Sequence, residues 1–256
     1  MKSILGSIAI AFTMYSRIPV PRVSWEEENR RFVLCAFPFV GAVIGLLTAG
    51  AAWLVCRVRL PELTAAALVG AVPLLLTGGI HLDGLVDTMD ALHSYAPRER
   101  KLEILKDSHV GAFAVIGLGI YLMLWYGAAD GMLSQQGLLW FPVCMVLSRA
   151  FSALTFVTEP DAREDGFKVL FGRDACKIAV LIFSGIWLLL GFLAAFFCDM
   201  KKALCLLVAG VLLLIWYIRM SRKQFGGLTG DLAGFYLQVQ ELVYFLVIVM
   251  EEAVWN

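Results

Sequence analysis

The sequence predicts an all-α fold: a polytopic transmembrane helical bundle with about seven spans plus a short N-terminal helix, in a single integral membrane domain over residues 1–256. Two observations lead to this fold class. The chain contains 60% hydrophobic and 16% charged residues and has a mean hydropathy of +0.80, far from the values of soluble domains. Several apolar runs also approach or exceed the roughly 18–20 residues that a helix needs to cross a bilayer.

Seven apolar segments are the candidate spans. They cover residues 32–56, 63–80, 110–129, 137–157, 175–198, 203–218 and 231–250. The second and sixth segments are short, so we expect them to recruit flanking residues or to tilt little. Residues 4–15 form a shorter apolar run after Lys2. Since no A-x-A-type cleavage site follows it, this run is predicted to be a retained helix that is interfacial or partly inserted.

The placement of charge predicts the orientation of the chain in the lipid bilayer. The net charge is zero, so nothing indicates a nucleic-acid partner. Fifteen of the 21 Lys and Arg residues lie in the loops 16–31, 81–109, 158–177 and 219–230. Only four lie in the loops 57–62, 130–136, 199–202 and 251–256. By the positive-inside tendency the first group of loops is cytoplasmic, and we expect a multi-pass protein of the cell membrane.

The cysteines show no metal-binding or disulfide pattern. All six lie within apolar runs or at their ends, without C-x-x-C spacing: Cys35, Cys56, Cys144, Cys176, Cys198 and Cys205. We therefore predict small buried hydrophobic residues rather than a disulfide framework or a zinc site.

Three carboxylates stand together after the second apolar run. Asp83, Asp87 and Asp90 are separated by four and three residues, which places them within roughly 60° of one another around a helix. Anions on one face repel unless a cation lies between them, and Mg²⁺ is the usual candidate. From spacing alone, a solvated acidic face at a helix end is the alternative.

Other polar residues in costly places are predicted to join these acids. Arg149 lies inside the 137–157 segment, where a charge needs a partner or a water-filled cavity. Lys106 and Asp107 precede the 110–129 segment. Asp231 follows a Gly-rich turn at the start of the last segment, a favourable place for phosphate. The acids, Asp107, Arg149 and Asp231 are thus expected to line one cavity open to the cytosol.

Three further features are ambiguous or concern packing and burial. Arg17 and Arg22 flank a proline turn, where they could meet phosphate or act as ordinary positive-inside anchors. Gly41 and Gly45 form a G-x-x-x-G pair, which favours close approach of a neighbouring helix. Glu241 lies within the last apolar run and is expected to face the interior.

Carboxylates, a deep arginine and glycine turns suit a metal-assisted phosphoryl or phosphodiester transfer. Mg²⁺ would neutralise a pyrophosphate, basic side chains would bind the remaining oxygens, and a second carboxylate would accept a proton. A cation- or proton-coupled transporter could use the same parts, but the sequence shows no internal repeat. An intramembrane aspartyl protease ranks third, because its acids would lie deep within spans.

Seven stretches of the sequence form an ordered set of motifs: Ser16-Arg-Ile-Pro-Val-Pro, Phe37-Pro-Phe-Val-Gly-Ala-Val-Ile-Gly, Gly78-Gly-Ile-His-Leu-Asp-Gly-Leu-Val-Asp-Thr-Met-Asp-Ala-Leu, Ile104-Leu-Lys-Asp-Ser-His-Val-Gly-Ala-Phe, Ser148-Arg-Ala, Ala162-Arg-Glu-Asp-Gly and Gly227-Leu-Thr-Gly-Asp. These motifs resemble those of the cobalamin synthase family, the membrane-bound adenosylcobinamide-GDP ribazoletransferases. They run in order along nearly the whole chain. His109 stands where family members typically carry Arg, and Gly234-Phe235 where they carry Gly-Ala.

This resemblance implies a Mg²⁺-dependent reaction. A ribose hydroxyl of α-ribazole, or of its 5′-phosphate, attacks the cobinamide-linked phosphate of adenosylcobinamide-GDP, and GMP leaves. Carried onto this sequence, the resemblance implies roles in three groups. The metal ligands would be Asp83, Asp87 and Asp90; the catalytic residues Asp107, Asp90 and His81; and the substrate contacts Lys106, Arg149, Arg17 and Asp231.

The implied role of His81 carries a condition. His81 would work with the acids only if the helix begins after it, because two residues before Asp83 it otherwise points away. The active site would face the cytoplasm within the lipid bilayer, and assembly into a homo-oligomer is compatible with the sequence.

Overall fold

The computed structural model describes residues 2–133, 137–163 and 175–255, and helices dominate these ranges. The helices are α1 (Lys2–Tyr15), α2 (Glu27–Arg30), α3 (Val33–Val58), α4 (Glu62–Thr77), α5 (Ile80–His93), α6 (Arg98–Ile104), α7 (Ala112–Gly131), α8 (Trp140–Thr158), α9 (Lys177–Cys198), α10 (Met200–Phe225) and α11 (Gly230–Trp255). A 3₁₀ turn, Gly137–Leu139, precedes α8. The predicted all-α class is confirmed.

Six of these helices are long and apolar enough to cross a membrane: α3, α7, α8, α9, α10 and α11. The α4–α5 pair is a seventh candidate. It meets the length and hydropathy requirement only when both helices are counted, and it bends by 93° at the break. Because α5 carries the acids and turns away from α4, we treat α4 as the apolar span and α5 as lying outside it. The predicted number of spans is thus confirmed, as is the short N-terminal helix α1.

The sixth predicted segment, 203–218, recruits flanking residues at both ends, as expected from its short apolar run. The helix α10 runs from Met200 to Phe225, because its charged final turns stay helical beyond the apolar part. Asp199 caps its start by accepting hydrogen bonds from the amides of Lys201 and Lys202. A left-handed glycine, Gly226 with φ of 80°, ends it.

The centre of the bundle is formed by α8 and α11, which are more fully buried than the other spans. The predicted close approach at the G-x-x-x-G pair is confirmed, because Gly41 and Gly45 of α3 pack on the backbone of α8. A Cβ built on Gly45 would lie 2.9 Å from the carbonyl oxygen of Phe141. By contrast, α9 and α10 present long apolar side chains outward, as lipid-facing helices do.

The loops that the charge pattern assigned to one side do meet at one end of the bundle. Arg163 of the 158–177 loop donates to Leu102 O in the 81–109 segment. A parallel bridge between Asp161 and Leu228 joins the same loop to the 219–230 loop. The Arg17 amide of the 16–31 loop donates to Leu76 O in the last turn of α4. Of the 158–177 loop, residues 164–174 lie outside the described residues, as does most of the Ala162-Arg-Glu-Asp-Gly motif.

The cysteine prediction is partly wrong. All six thiols are free, in agreement with the absence of a disulfide framework. However, Cys56, Cys198 and Cys205 are exposed, because they lie on outward faces of helices that a membrane would cover.

Candidate functional site

The acidic helix α5 owes its direction to two consecutive glycines. Gly78 and Gly79 have φ of 66° and 78°, a left-handed conformation that glycine adopts without steric cost. They end α4 and restart the chain as α5. The side chain of Arg17 lies over Gly78, where a Cβ would be 2.9 Å from Arg17 Cγ. The proline turn of residues 16–22 thereby braces the corner between the two helices.

Close contact between α5 and α11 brings a fourth carboxylate to the acids. A Cβ built on Gly84 would lie 2.6 Å from the carbonyl oxygen of Asp231, and one on Gly234 would lie 3.2 Å from that of His81. The two helix backbones therefore touch where both sequences have glycine. This contact places Asp231, at the start of α11, beside Asp83, and the two acids line one cavity.

Electrostatic interactions show that the acids converge. Partial burial, together with the negative charges of Asp83, Asp231 and Asp90, raises the pKa of Asp87 to about 6. A carboxylate under such repulsion gains from a bound cation. The structure therefore groups Asp83, Asp87, Asp90 and Asp231 as a cluster of negative charge.

The donor set fits an open metal site rather than a closed cage. Within the described ranges, no group of three or more His, Cys, Asp or Glu side chains could hold a metal ion. Mg²⁺, however, is often bound by one or two carboxylates, with water and substrate phosphates completing its octahedron. Asp83 and Asp87, one helical turn apart and under mutual repulsion, fit that arrangement.

Asp90 faces a different neighbour. Its carboxylate lies against Gly111, where an added Cβ would be 2.6 Å from Asp90 Cγ. Gly111 is the N-cap of α7, and the positive end of that helix dipole stabilises a nearby carboxylate. Asp90 thus joins α5 to the start of α7.

The cavity predicted from the sequence to contain all six charged residues is only partly formed. Asp107 lies in a turn, with 48% of its side chain exposed, and bonds to His109. Hydrogen bonds from the backbone and side chain of His109 lower the pKa of Asp107. Lys106 is also exposed, in the turn after α6. These two residues share the acidic end of the bundle but do not line the cavity.

Arg149 is not at the cavity wall either. Its side chain is 1% exposed and pairs with Glu241 of α11, which is 2% exposed. Arg149 Nη1 also donates to Met145 O, and the Ser148 hydroxyl donates to Glu241. The expected contact of Arg149 with substrate is therefore not supported by its position. The expectation that Glu241 faces the interior is confirmed.

A cavity of about 180 Å³ opens beside the acids between α1, α3, α5, α8 and α11. Its walls are Tyr15, Leu34, Phe37, Ile80, His81, Asp83, Ser152, Ala153, Phe156, Gly230, Asp231, Ala233 and Gly234. Its lining combines aromatic and aliphatic side chains with two acids; we call the part formed by Tyr15, Phe37, Phe156 and His81 its aromatic end and the part formed by Asp83 and Asp231 its acidic end. The sequence predicted a cavity beside the acids but not its aromatic walls, because these come from separate helices.

His81 belongs to the aromatic end of the cavity. The helix α5 begins at Ile80, so the condition for His81 to work with the acids is not met. Its ring stacks on Tyr15, with centroids 5.9 Å apart, and lies 5.7 Å from that of Phe37. Burial and the charge of Arg149 lower the pKa of His81 to about 3, so the imidazole is neutral at neutral pH.

Arg163 is a basic residue that sequence reasoning passed over. It lies close enough to Asp231 to interact electrostatically, and it is positioned by its hydrogen bond to Leu102 O. It was part of a polar loop without periodicity, and only the folded chain shows its position. Its place in the Ala162-Arg-Glu-Asp-Gly motif was the feature of the sequence that could have identified Arg163 as a site residue.

Comparison with known proteins gives a consistent result. Residues 7–249 match the family model described as cobalamin-5-phosphate synthase. The chain is 39% identical to the adenosylcobinamide-GDP ribazoletransferase of Lachnoclostridium phytofermentans, over 98% of this chain and 95% of that protein. It is 37% identical to the protein of the same name from Desulfitobacterium hafniense, over 93% and 94% of the two chains. No solved structure matches.

Proposed function

The chain belongs to the cobalamin-5-phosphate synthase family, and from this premise we propose that it is an adenosylcobinamide-GDP ribazoletransferase. It joins α-ribazole, or α-ribazole 5′-phosphate, to adenosylcobinamide-GDP and releases GMP. Adenosylcobalamin or its 5′-phosphate is the product. The names of relatives that align over nearly the whole chain support this reaction over a transporter.

The meeting of Asp83 and Asp231 in the lining of a small cavity, with Asp87 and Asp90 following Asp83 on α5, is the observation that carries the proposal. Asp83 and Asp87 would hold Mg²⁺, and Asp231 and Asp90 border the site. When bound there, Mg²⁺ would neutralise charge on the pyrophosphate and favour the departure of GMP. Arg163, and the more exposed Arg17 and Lys106, supply positive charge for phosphate oxygens at the same end of the bundle.

In the reaction, the ribose hydroxyl oxygen forms a bond to the cobinamide-linked phosphorus. The bond from that phosphorus to the oxygen of GMP breaks, and the hydroxyl proton passes to a carboxylate. Asp90 is our candidate for this base, because it lies three residues after Asp87 on α5 and its charge acts on that acid. Asp107 is less suited, since it lies in an exposed loop away from the cavity and hydrogen bonds from His109 favour its ionised form.

The orientation and location follow from charge. The acidic end of the bundle carries the four Lys- and Arg-rich loops, which supports a site that faces the cytoplasm of a cell-membrane protein. Adenosylcobinamide-GDP carries a charged pyrophosphate, and both it and the polar ribazole substrate would reach the site from water.

The test is release of GMP by the purified protein in liposomes. We expect release from adenosylcobinamide-GDP only when α-ribazole, or its phosphate, and Mg²⁺ are both present. Asp83→Asn should lose this release at low Mg²⁺. Its matched control is Asp130→Asn, because Asp130 is exposed at the opposite end of the bundle. Failure to release GMP under the complete conditions would reject the transferase, and solute flux into sealed vesicles would favour a transporter.

A further inference from the structure

The aromatic end of the cavity is not needed to hold a metal or a pyrophosphate. It is lined by the rings of Tyr15, Phe37, Phe156 and His81, while Asp83 and Asp231 stand at its other end. A ligand that fills it therefore has a planar apolar part and a polar part that reaches the acids. Planar aromatic groups pack favourably between aromatic side chains.

A buried polar atom in this wall lacks a partner. His81 is 5% exposed, and its Nε2 has no hydrogen-bond partner within the described part of the chain. A buried polar group without a partner is unfavourable. A ligand with one hydrogen-bonding nitrogen on an otherwise apolar ring system would satisfy it.

Size and polarity select among the parts of the substrates. An apolar cavity of roughly 150 Å³ accommodates benzene, so the 180 Å³ here suits one or two fused rings. A corrin macrocycle is far larger. Guanine has several donors and acceptors on its edges, whereas, apart from the Tyr15 hydroxyl and the two acids that would meet the polar part of the ligand, this lining offers only His81 and Ser152 as polar side chains.

We propose that this cavity binds the azole base of the incoming ribazole, with its rings among Tyr15, Phe37 and Phe156 and the His81 Nε2–H donating to its free ring nitrogen. The inference rests on the proposed function. It places the ribose at the acidic end, near Asp83 and Asp231, where its hydroxyl would meet the phosphate. His81 is then a binding residue for the base rather than a proton carrier.

Equilibrium binding of α-ribazole to the full chain in nanodiscs, without the second substrate, tests this directly. His81→Ala should weaken binding about tenfold, the effect of one lost hydrogen bond of about 1.4 kcal/mol. His81→Gln retains a donor near the Nε2 position and should restore most of the affinity. His93→Ala is the matched control, because His93 lies on the same helix but packs on Phe113 outside the cavity.

A second variant on another helix tests the shape of the cavity. Ala153 of α8 is buried in its wall, and Ala153→Leu should weaken binding of α-ribazole more than binding of imidazole riboside, which has a single ring. Equal losses for the two ribosides would overturn the assignment. So would unchanged binding in His81→Ala, which is also the result expected of a cavity that holds lipid.

Kinetics separate this inference from the proposed function. For His81→Ala we expect a KM for α-ribazole about tenfold higher, with the KM for adenosylcobinamide-GDP unchanged. A rise in the second KM instead would refute the base subsite while leaving the transferase intact. Binding with the predicted pattern but without any GMP release would refute the reaction and leave the subsite.

Discussion

Replacing Arg149 by methionine separates a structural role from a catalytic one. Methionine keeps much of the length and apolar volume of the arginine stem but removes its charge. Both members of the Arg149–Glu241 pair are almost completely buried, so the variant leaves the carboxylate of Glu241 without its cation. Breaking a buried ion pair in this way typically costs about 3–5 kcal/mol.

The remaining contacts place the expected loss at the lower end of that range, about 3 kcal/mol. The Ser148 hydroxyl still donates to Glu241 in the variant. Interhelical polar contacts in membranes are also often weaker than their burial suggests, since the unfolded chain finds other partners. Arg149→Met combined with Glu241→Gln removes both charges and should recover most of the stability.

The assay is equilibrium unfolding of the purified protein in detergent, with GMP release measured in parallel. Arg100→Met is the control, because the Arg100–Glu103 pair is exposed on both sides and such pairs contribute at most about 1 kcal/mol. The reasoning is refuted if Arg149→Met unfolds like the parent protein but binds adenosylcobinamide-GDP poorly. That result would restore Arg149 as a substrate contact.

Three further predictions concern the acidic helix. Asp83→Asn should lose GMP release at low Mg²⁺ and regain part of it at high Mg²⁺. The control Asp130→Asn should release GMP at the rate of the parent protein at both concentrations. Full activity of Asp83→Asn at low Mg²⁺ would contradict the metal assignment. Gly84→Val should separate α5 from α11 and lower both thermal stability and activity, and an unaffected variant would show that the close contact is unnecessary. The raised pKa of Asp87, about 6 against 3.8 unfolded, means that the native state binds more protons between these values. In Mg²⁺-free buffer stability should therefore fall as pH rises through that window, and Asp87→Asn should flatten the profile measured by thermal unfolding.

The spans could be predicted because lipid imposes one simple requirement on them. A helix must be apolar for about 20 residues to cross, and each of the seven segments is visible on that criterion. The criterion fails at α10, whose last turns carry Arg222 and Lys223 and stay helical outside the apolar region. There the helix continues because tertiary contacts hold it, including the bond from Lys101 Nζ to Gln224.

The arrangement of the acids could be predicted in part. The placement of Asp83, Asp87 and Asp90 on one helix follows from helical periodicity, and the expected approach of Asp231 agrees with the cavity that it shares with Asp83. The partner of Arg149 could not be predicted. An arginine within the membrane needs a partner, but the sequence does not identify which residue that is. Glu241, 92 residues away, was noted as buried without being connected to it.

The corner at Gly78 and Gly79 links the acidic end of the bundle to the thickness of the bilayer. The helix α4 has 16 residues, about 24 Å at the helical rise, against an apolar core of about 30 Å. A span that is too short thins the surrounding lipid or is drawn inward, together with whatever is attached to its end. Here that attachment is α5, the helix that bears the carboxylates, so a change in the acyl-chain length of the membrane would shift the depth of these acids relative to the surrounding water.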